Sequence, residues 1–245
     1  MTLNEIKNKI SITPYYEELN GSGILYCADC LDILKMLPDK CVDLILCDPP
    51  YGINYKSNWT DNHDFIQNDD LGGWLNLMRQ VLPEWKRILT DTGCCCCCCC
   101  GKTPVTAILT MEAIKHFNLI QTLVWKKFIG LGWRYRPAYE NILVLSKSKN
   151  NYNFYDKSKA CANVIEGFNQ DIPQSDEHPT QKPVGLMKHL LLIHSKKDDI
   201  ILDSFCGGGS TLQGAKELGR RFIGIEISEK YCAIAKKRLA QEILL

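Results

Sequence analysis

The chain lacks an excess of charge of either sign: 29 Lys plus Arg stand against 28 Asp plus Glu, a formal net charge of +1 over 245 residues. No global field draws in a polyanion, so any affinity for nucleic acid has to come from a local basic patch. No stretch approaches the roughly eighteen uncharged apolar residues that a membrane span needs. Glu5, Lys7 and Lys9 also break up the apolar residues of the N-terminus. Neither a membrane span nor a secretory leader is expected, and the chain reads as cytoplasmic. Cys27-Ala28-Asp29-Cys30 has CxxC spacing but no second matching pair, which argues against a zinc site. Gly101-Lys102-Thr103 mimics the end of a phosphate-binding loop, yet Cys96 stands where that motif needs its first glycine. No metal is expected, and no internal repeat is present.

What remains is an ordinary globular composition, 45% apolar and 23% charged, sufficient for one sizeable core and read as a single domain over 1–245. Seven of the fourteen cysteines are consecutive, Cys94 to Cys100. On an extended chain their side chains alternate between faces, so the run cannot wrap one tetrahedral metal. A buried strand of small apolar residues is the expectation. Other β-rich runs are Ile24 to Tyr26, Val42 to Cys47, Leu119 to Trp125, Asn141 to Leu145, Ile200 to Asp203 and Arg221 to Ile225. Helical periodicity lies between them, at Leu31 to Leu37, Trp74 to Leu89 with a kink expected at Pro83, Pro104 to His116, Pro183 to Ile193, Thr211 to Leu218 and Glu229 to Leu239. This alternation predicts an α/β fold: a Rossmann-like, seven-stranded, mostly parallel sheet with helices on both faces.

Two polar stretches exceed the usual loop length, Gly52 to Gly73 and Ser146 to Glu177. The first is a candidate DNA or active-site loop. The second, 146–177, is a candidate target-recognition segment, because Lys147, Lys149, Lys157 and Lys159 interleave with Tyr152, Phe154 and Tyr155. That mixture suits phosphates and base stacking, although a solvated loop with a few anchoring aromatics has the same composition.

Two motifs carry chemistry. Ile200 to Thr211 is an apolar strand, then a glycine turn, then a helix start, where free backbone amides favour electronegative groups. Glu226 ends the next strand nineteen residues after Gly207, where nucleotide-binding folds use a carboxylate on two ribose hydroxyls. The spacing is not G-x-G-x-x-G, and no second mononucleotide half follows, so a single adenosine ligand fits better than a dinucleotide. The other motif is Asp48-Pro49-Pro50-Tyr51, directly after an apolar strand. Two prolines stiffen the turn, holding the Asp48 carboxylate and the Pro49 carbonyl as fixed acceptors beside the flat face of Tyr51. Together they suit a planar ring with an exocyclic amine.

Four blocks, in order, are Ala28-Asp29-Cys30-Leu31-Asp32, Asp48-Pro49-Pro50-Tyr51-Gly52, His178-Pro179-Thr180-Gln181-Lys182-Pro183 and Asp203-Ser204-Phe205-Cys206-Gly207-Gly208-Gly209-Ser210-Thr211. Carrying them, the chain resembles the amino-directed DNA methyltransferases that use S-adenosylmethionine, in the circularly permuted group whose catalytic tetrapeptide precedes the cofactor turn. The resemblance implies that Asp48, Pro49, Pro50 and Tyr51 are catalytic. It implies that Asp29 and the backbone of Cys30 read the cofactor adenine and that Glu226 holds its ribose. Asp203, Phe205, Cys206, Gly207, Gly209, Ser210 and Thr211 would surround the methionine portion, and Ile227 completes the cofactor-binding set. Thr180 and Lys182 would meet the methionine carboxylate, since a cation and a helix N-terminus both favour an anion.

An Asp at the first tetrapeptide position resembles adenine N6 methylation, where cytosine N4 enzymes usually carry Ser. The implied partner is double-stranded DNA, with a companion restriction endonuclease possible. Candidate DNA-facing cations are Lys56, Lys126, Lys127, Arg134 and Arg136. Trp133-Arg134-Tyr135-Arg136 alternates aromatic and basic residues, a pattern that one buried and one wet strand face would also produce. The alternatives are cytosine N4, RNA or a protein glutamine amide as acceptor, or an inactive DNA-recognition subunit. Target sequence and oligomeric state are not legible in the chain.

Overall fold

The computed structural model describes residues 1–51, 70–99, 104–128, 135–136, 138–158, 160–168 and 181–241. In chain order the elements are α1 (Leu3–Lys7), β1 (Tyr16–Glu17), β2 (Gly23–Cys27), α2 (Cys30–Met36), β3 (Val42–Cys47), α3 (Leu71–Ile88), β4 (Leu89–Cys99), α4 (Val105–Ala113), β5 (Asn118–Lys126) and β6 (Tyr139–Ser146). There follow β7 (Val164–Ile165), α5 (Val184–His194), β8 (Ile200–Asp203), α6 (Ser210–Glu217), β9 (Arg221–Glu226) and α7 (Glu229–Leu239).

All strands join one sheet in the order β1-β2-β9-β8-β3-β4-β6-β5-β7. The seven expected strands form its body. The two-residue strands β1 and β7 extend it to nine, being too short to show an alternating pattern. Pairing is parallel from β2 through β9, β8 and β3 to β4. β6 runs antiparallel to both of its neighbours, β4 and β5. α3 carries the chain from β3 outward to β4, while α6 carries it from β8 the opposite way to β9, so the connections diverge between β3 and β8. Open α/β sheets bind ligands at such a switch point, outside the carboxyl ends of the strands.

Two apolar layers sandwich the sheet, and strand residues divide between them by the alternation of a pleated chain. Ile45, Cys47, Cys95, Cys97, Leu202, Ile223 and Ile225 pack with α1 to α4. Leu44, Leu46, Cys94, Cys96, Cys98, Ile201 and Phe222 pack with α5 to α7. The cysteine strand is therefore central: β3 and β6 pair with its two edges and both faces are covered. Cys94 to Cys98 are no more than 1% exposed, and all five are free thiols.

The helix begins earlier than the 52–73 loop reading allows. Asp70 caps α3 by accepting the Gly73 N–H at 2.9 Å, so Gly72 and Gly73 lie in its first turn. A Cβ on Gly73 would stand 2.7 Å from Asp70 Oδ2, the other oxygen of the capping carboxylate, which is why glycine suits the position. α3 is assigned as one helix through Pro83, its buried face formed by Trp74, Met78, Val81, Leu82, Trp85 and Ile88. Residues 52–69, including Lys56, lie outside the described residues.

The beginning of the 146–177 stretch packs at the sheet edge away from the carboxyl ends of the parallel strands. Lys147 donates to the Leu89 carbonyl, the Asn153 N–H bonds to Thr92 at the start of β4, and the Tyr155 N–H bonds to Ile193 near the end of α5. Tyr152 joins the α5–α7 layer and Phe154 meets His194 edge-on, so these aromatics anchor a loop. The chain then returns to pair Val164 and Ile165 with the end of β5.

Because burial shields thiols and pushes Cys94 up to about 12, alkylation of the native protein is expected to label exposed Cys161 and spare Cys94 to Cys98 until it unfolds. Peptide mapping after iodoacetamide treatment checks this; labelling of Cys96 as fast as Cys161 would contradict the central placement of β4.

Candidate active site

Parallel pairing fixes the site. Leu44 stands opposite Ile201 and Ile45 opposite Leu202, so Asp48, one residue past β3, and Asp203, the last of β8, emerge at the same edge. Cys27 pairs with Glu226 one strand further on. Asp29, Glu226, Asp203 and Asp48 thus succeed one another along strands β2, β9, β8 and β3. With strands spaced about 4.8 Å apart, the row from β9 to β3 spans roughly 10 Å.

At the β2–β9–β8 end the groups are rigidly held. Asp29 caps α2, accepting the Leu31 N–H at 2.8 Å, and Cys30 is the buried first residue of that helix. Glu226 accepts backbone N–H groups from Gly207 at 2.9 Å and Ser228 at 2.8 Å, one on each oxygen. Burial pushes its carboxyl above the ordinary value against these bonds. Gly209 has φ 83°, and a Cβ there would stand 3.0 Å from Ala235, so the turn needs glycine. The Cys206 N–H bonds back to Ile225, while Ile227 lies half-exposed at the rim.

Asp203 is buried at the centre. Burial pushes its carboxyl up to about 7, although the Thr211 hydroxyl and the Phe205 N–H donate to it; Asp48 and Glu226 add repulsion. The sequence reading missed the groups that brace this turn. Trp85 of α3 donates to the Ser204 hydroxyl at 3.0 Å and meets Phe205 edge-on at 6.3 Å. Arg238 of α7 reaches both Ser210 at 3.1 Å and Gln181 at 2.8 Å, tying the segment before α5 to the turn.

At the β3 end, Asp48 Oδ1 accepts the Tyr51 hydroxyl at 2.5 Å, and Asp48 Oδ2 accepts Lys182 Nζ at 2.6 Å. The same ammonium donates to Tyr51 Oη at 2.6 Å and lies 3.2 Å from Glu140 Oε2. Glu140 Oε1 is paired with Lys127 at 2.6 Å. The resemblance places Lys182 at the methionine carboxylate; the structure pairs it with Asp48 and Glu140, since a buried ammonium seeks the nearest buried anions. Burial pushes Asp48 above its ordinary value, Lys182 pulls it down, and Glu140 pushes it up again. Burial alone would raise Glu140, but Lys182 and Lys127 hold it below its ordinary value. Burial would lower Lys182, yet Asp48 and Glu140 carry it above the usual lysine range.

Glu140 is the largest omission from the sequence reading. It is the second residue of β6, and because β6 is antiparallel its N-terminal end stands at the carboxyl edge of the parallel strands. A charged residue entering the apolar run Asn141 to Leu145 was the available signal. Of the expected DNA-facing cations, Lys127 is held by Glu140 and lies 5.1 Å over Trp125, Lys126 pairs with exposed Glu166 at 2.9 Å, and Arg136 is exposed. Trp133, Arg134, Lys159 and Thr180 lie outside the described residues. Among the described residues no cluster of His, Cys, Asp and Glu could hold a metal, and no helix is long and apolar enough to cross a membrane.

A row of carboxylates at the switch point, beside a glycine turn opening a helix, defines a Rossmann-like ligand-binding domain. The model of the N6/N4 DNA methylase family matches residues 42–237, and the chain belongs to that family. It is 30% identical to the Type II methyltransferase M2.LlaDCHI of Lactococcus lactis subsp. cremoris, over 98% of this chain and 97% of that protein. It is 29% identical to the DNA adenine methyltransferase YhdJ of Escherichia coli (strain K12), over 90% of this chain and 83% of that protein. Among solved structures, the cytosine-N4-specific PvuII DNA methyltransferase superposes with a TM-score of 0.79 at 16% identity, covering 96% of this chain and 92% of that one. The M1.HpyAVI–SAM complex gives 0.65 at 24% identity, covering 88% and 98%. At these identities the structural likenesses speak to the fold alone.

Replacing Lys182 with Met is expected to destabilise the fold by about 3 to 5 kcal/mol at neutral pH, because Asp48 and Glu140 become buried charges without their shared cation. Both carboxyls are then raised, so the loss should shrink as pH falls and they protonate. Denaturant unfolding at several pH values checks the sign; a loss independent of pH would show that packing, not charge, is at stake.

Proposed function

We propose that the protein transfers a methyl group from S-adenosylmethionine to the N6 amine of an adenine flipped out of double-stranded DNA. The observation that carries this reading is the position of Asp48: a rigid acceptor at the end of β3, one strand away from the glycine turn that follows β8. The groups on β2, β9 and β8 suit the donor. Glu226 keeps lone pairs for ribose hydroxyls, and buried Asp203 is an anion site suited to the methionine ammonium. The φ 83° of Gly209 leaves backbone open to close approach. When bound, the cofactor supplies an electrophilic methyl on a sulfonium.

Asp48 uses two of its roughly four acceptor positions on Tyr51 and Lys182, so the others remain for an amine hydrogen. With the Pro49 carbonyl as second acceptor, the two would pull the nitrogen toward tetrahedral geometry and localise its lone pair. The amine becomes acidic only as it gains the methyl, so its proton leaves late, to Asp48 or to water. Tyr51 would stack on the base, worth about 1 to 3 kcal/mol against the few kcal/mol that unstacking costs. Contacts to the DNA backbone would supply the rest, and exposed Lys126 and Arg136 are the described candidates for them. The name of YhdJ and the Asp at the first tetrapeptide position support adenine, and the Type II designation of relatives supports a companion nuclease. The cytosine specificity of the PvuII enzyme belongs to a protein only 16% identical and carries no substrate argument.

Incubation with tritiated cofactor and DNA is expected to label N6-methyladenine. Asp48→Ala should lower turnover by about 10²-fold or more while cofactor affinity stays nearly intact. Label in N4-methylcytosine, or on RNA alone, would overturn the adenine reading, and loss of cofactor binding would overturn the role of Asp48. Cofactor affinity should also fall as pH drops through about 7, since Asp203 must shed a proton to receive a cation. Calorimetric titration of wild type and Asp203→Asn tests this; the variant should bind weakly without that pH dependence, and a pH-independent wild type would refute it.

A further inference from the structure

We propose that Glu140 is a positioning residue that governs, through Lys182, how strongly Asp48 accepts the substrate amine. The inference rests on the methyl-transfer reading and extends it to a residue outside the Asp-Pro-Pro-Tyr block. Its basis is geometric. One buried ammonium is shared by two carboxylates, 2.6 Å from Asp48 and 3.2 Å from Glu140, and Lys127 holds the far oxygen of Glu140 at 2.6 Å. The charges alternate along a line from the catalytic corner toward the surface: Asp48, Lys182, Glu140, Lys127.

An ammonium committed to Asp48 alone would neutralise the acceptor that the amine requires. Glu140 competes for the same protons, so Asp48 keeps its basicity while remaining oriented. When an amine hydrogen arrives at Asp48, Lys182 can shift its hydrogen bond to Glu140 without leaving a buried charge unpaired. Tyr51 accepts from the same ammonium and holds the third direction of its approach. The charged and titratable groups that face Asp48 are Lys182 before α5, Tyr51 in the turn after β3, Glu140 on β6 and Asp203 at the end of β8. Cys98 of β4 acts on Tyr51 and Lys182, and Lys127 on Glu140.

The test is the acid limb of the kcat profile for DNA methylation, which reports the ionisation of Asp48 in the ternary complex. Glu140→Gln keeps the shape and removes the charge that raises Asp48, so the limb should move to lower pH by about half a unit or more. Asp48 is then the weaker acceptor, and the plateau kcat should fall about tenfold, with KM for DNA and cofactor little changed. Glu140→Asp should restore part of kcat. Lys127→Met should move the limb the other way, because Lys182 is then drawn further toward Glu140; this variant also decides the matter should Glu140→Gln fail to fold. Limbs that stay at the wild-type pH in both variants would overturn the inference, whatever happens to kcat. That outcome differs from a wild-type protein that methylates no DNA, which would remove the methyl-transfer reading and this inference together.

Discussion

The parallel pairing of β3 with β8 is the constraint on which the rest depends. It brings two strand ends far apart in sequence to one edge, and it does so where the connections diverge, the place where open α/β sheets take their ligands. Among the described residues, both motif-bearing turns stand at that edge. The glycine turn and its bracing groups occupy one side, and the proline corner occupies the other. A sheet with the same strands in another order would keep the motifs and lose the site.

Around that edge the protein buries an unusual amount of charge. Asp203, Asp48, Glu140 and Lys182 all sit in or beside the core layers, and each is tolerable only because of what faces it. The arrangement is asymmetric. The Asp48 end contains its own cation, whereas Asp203 has hydrogen-bond donors and two repelling carboxylates. The β3 end of the row is thus neutralised internally, and the β8 end is left without a cation of its own among the described residues.

The fold was legible because its signals are local. Strand alternation, the glycine turn and the proline corner are written in consecutive residues, and so is the acid at the end of β9. What was not legible depends on direction and partnership. Nothing in Tyr139–Ser146 says that this strand runs against its neighbours, yet that reversal alone brings Glu140 to the functional edge. The partner of Lys182 is equally a tertiary fact, since Asp48 lies 134 residues away. The lysine and aromatic mixture near Tyr152 meets the same limit: composition suits a nucleic acid, but only packing tells that Tyr152 joins the α5–α7 layer and Phe154 meets His194. Gly72 and Gly73 read as loop residues until Asp70 is seen to cap the helix that contains them.

The cysteine strand has a consequence for the life of the molecule outside its native state. Folded, those sulfurs are sealed between two helical layers; once the chain opens, neighbouring thiols lie within easy reach of one another in an air-exposed solution. Oxidative pairing among them would be quick and would hold the strand in shapes that fit no sheet. Survival of this enzyme through heating or denaturant is therefore governed by the reducing power of its surroundings as much as by the depth of its folding well.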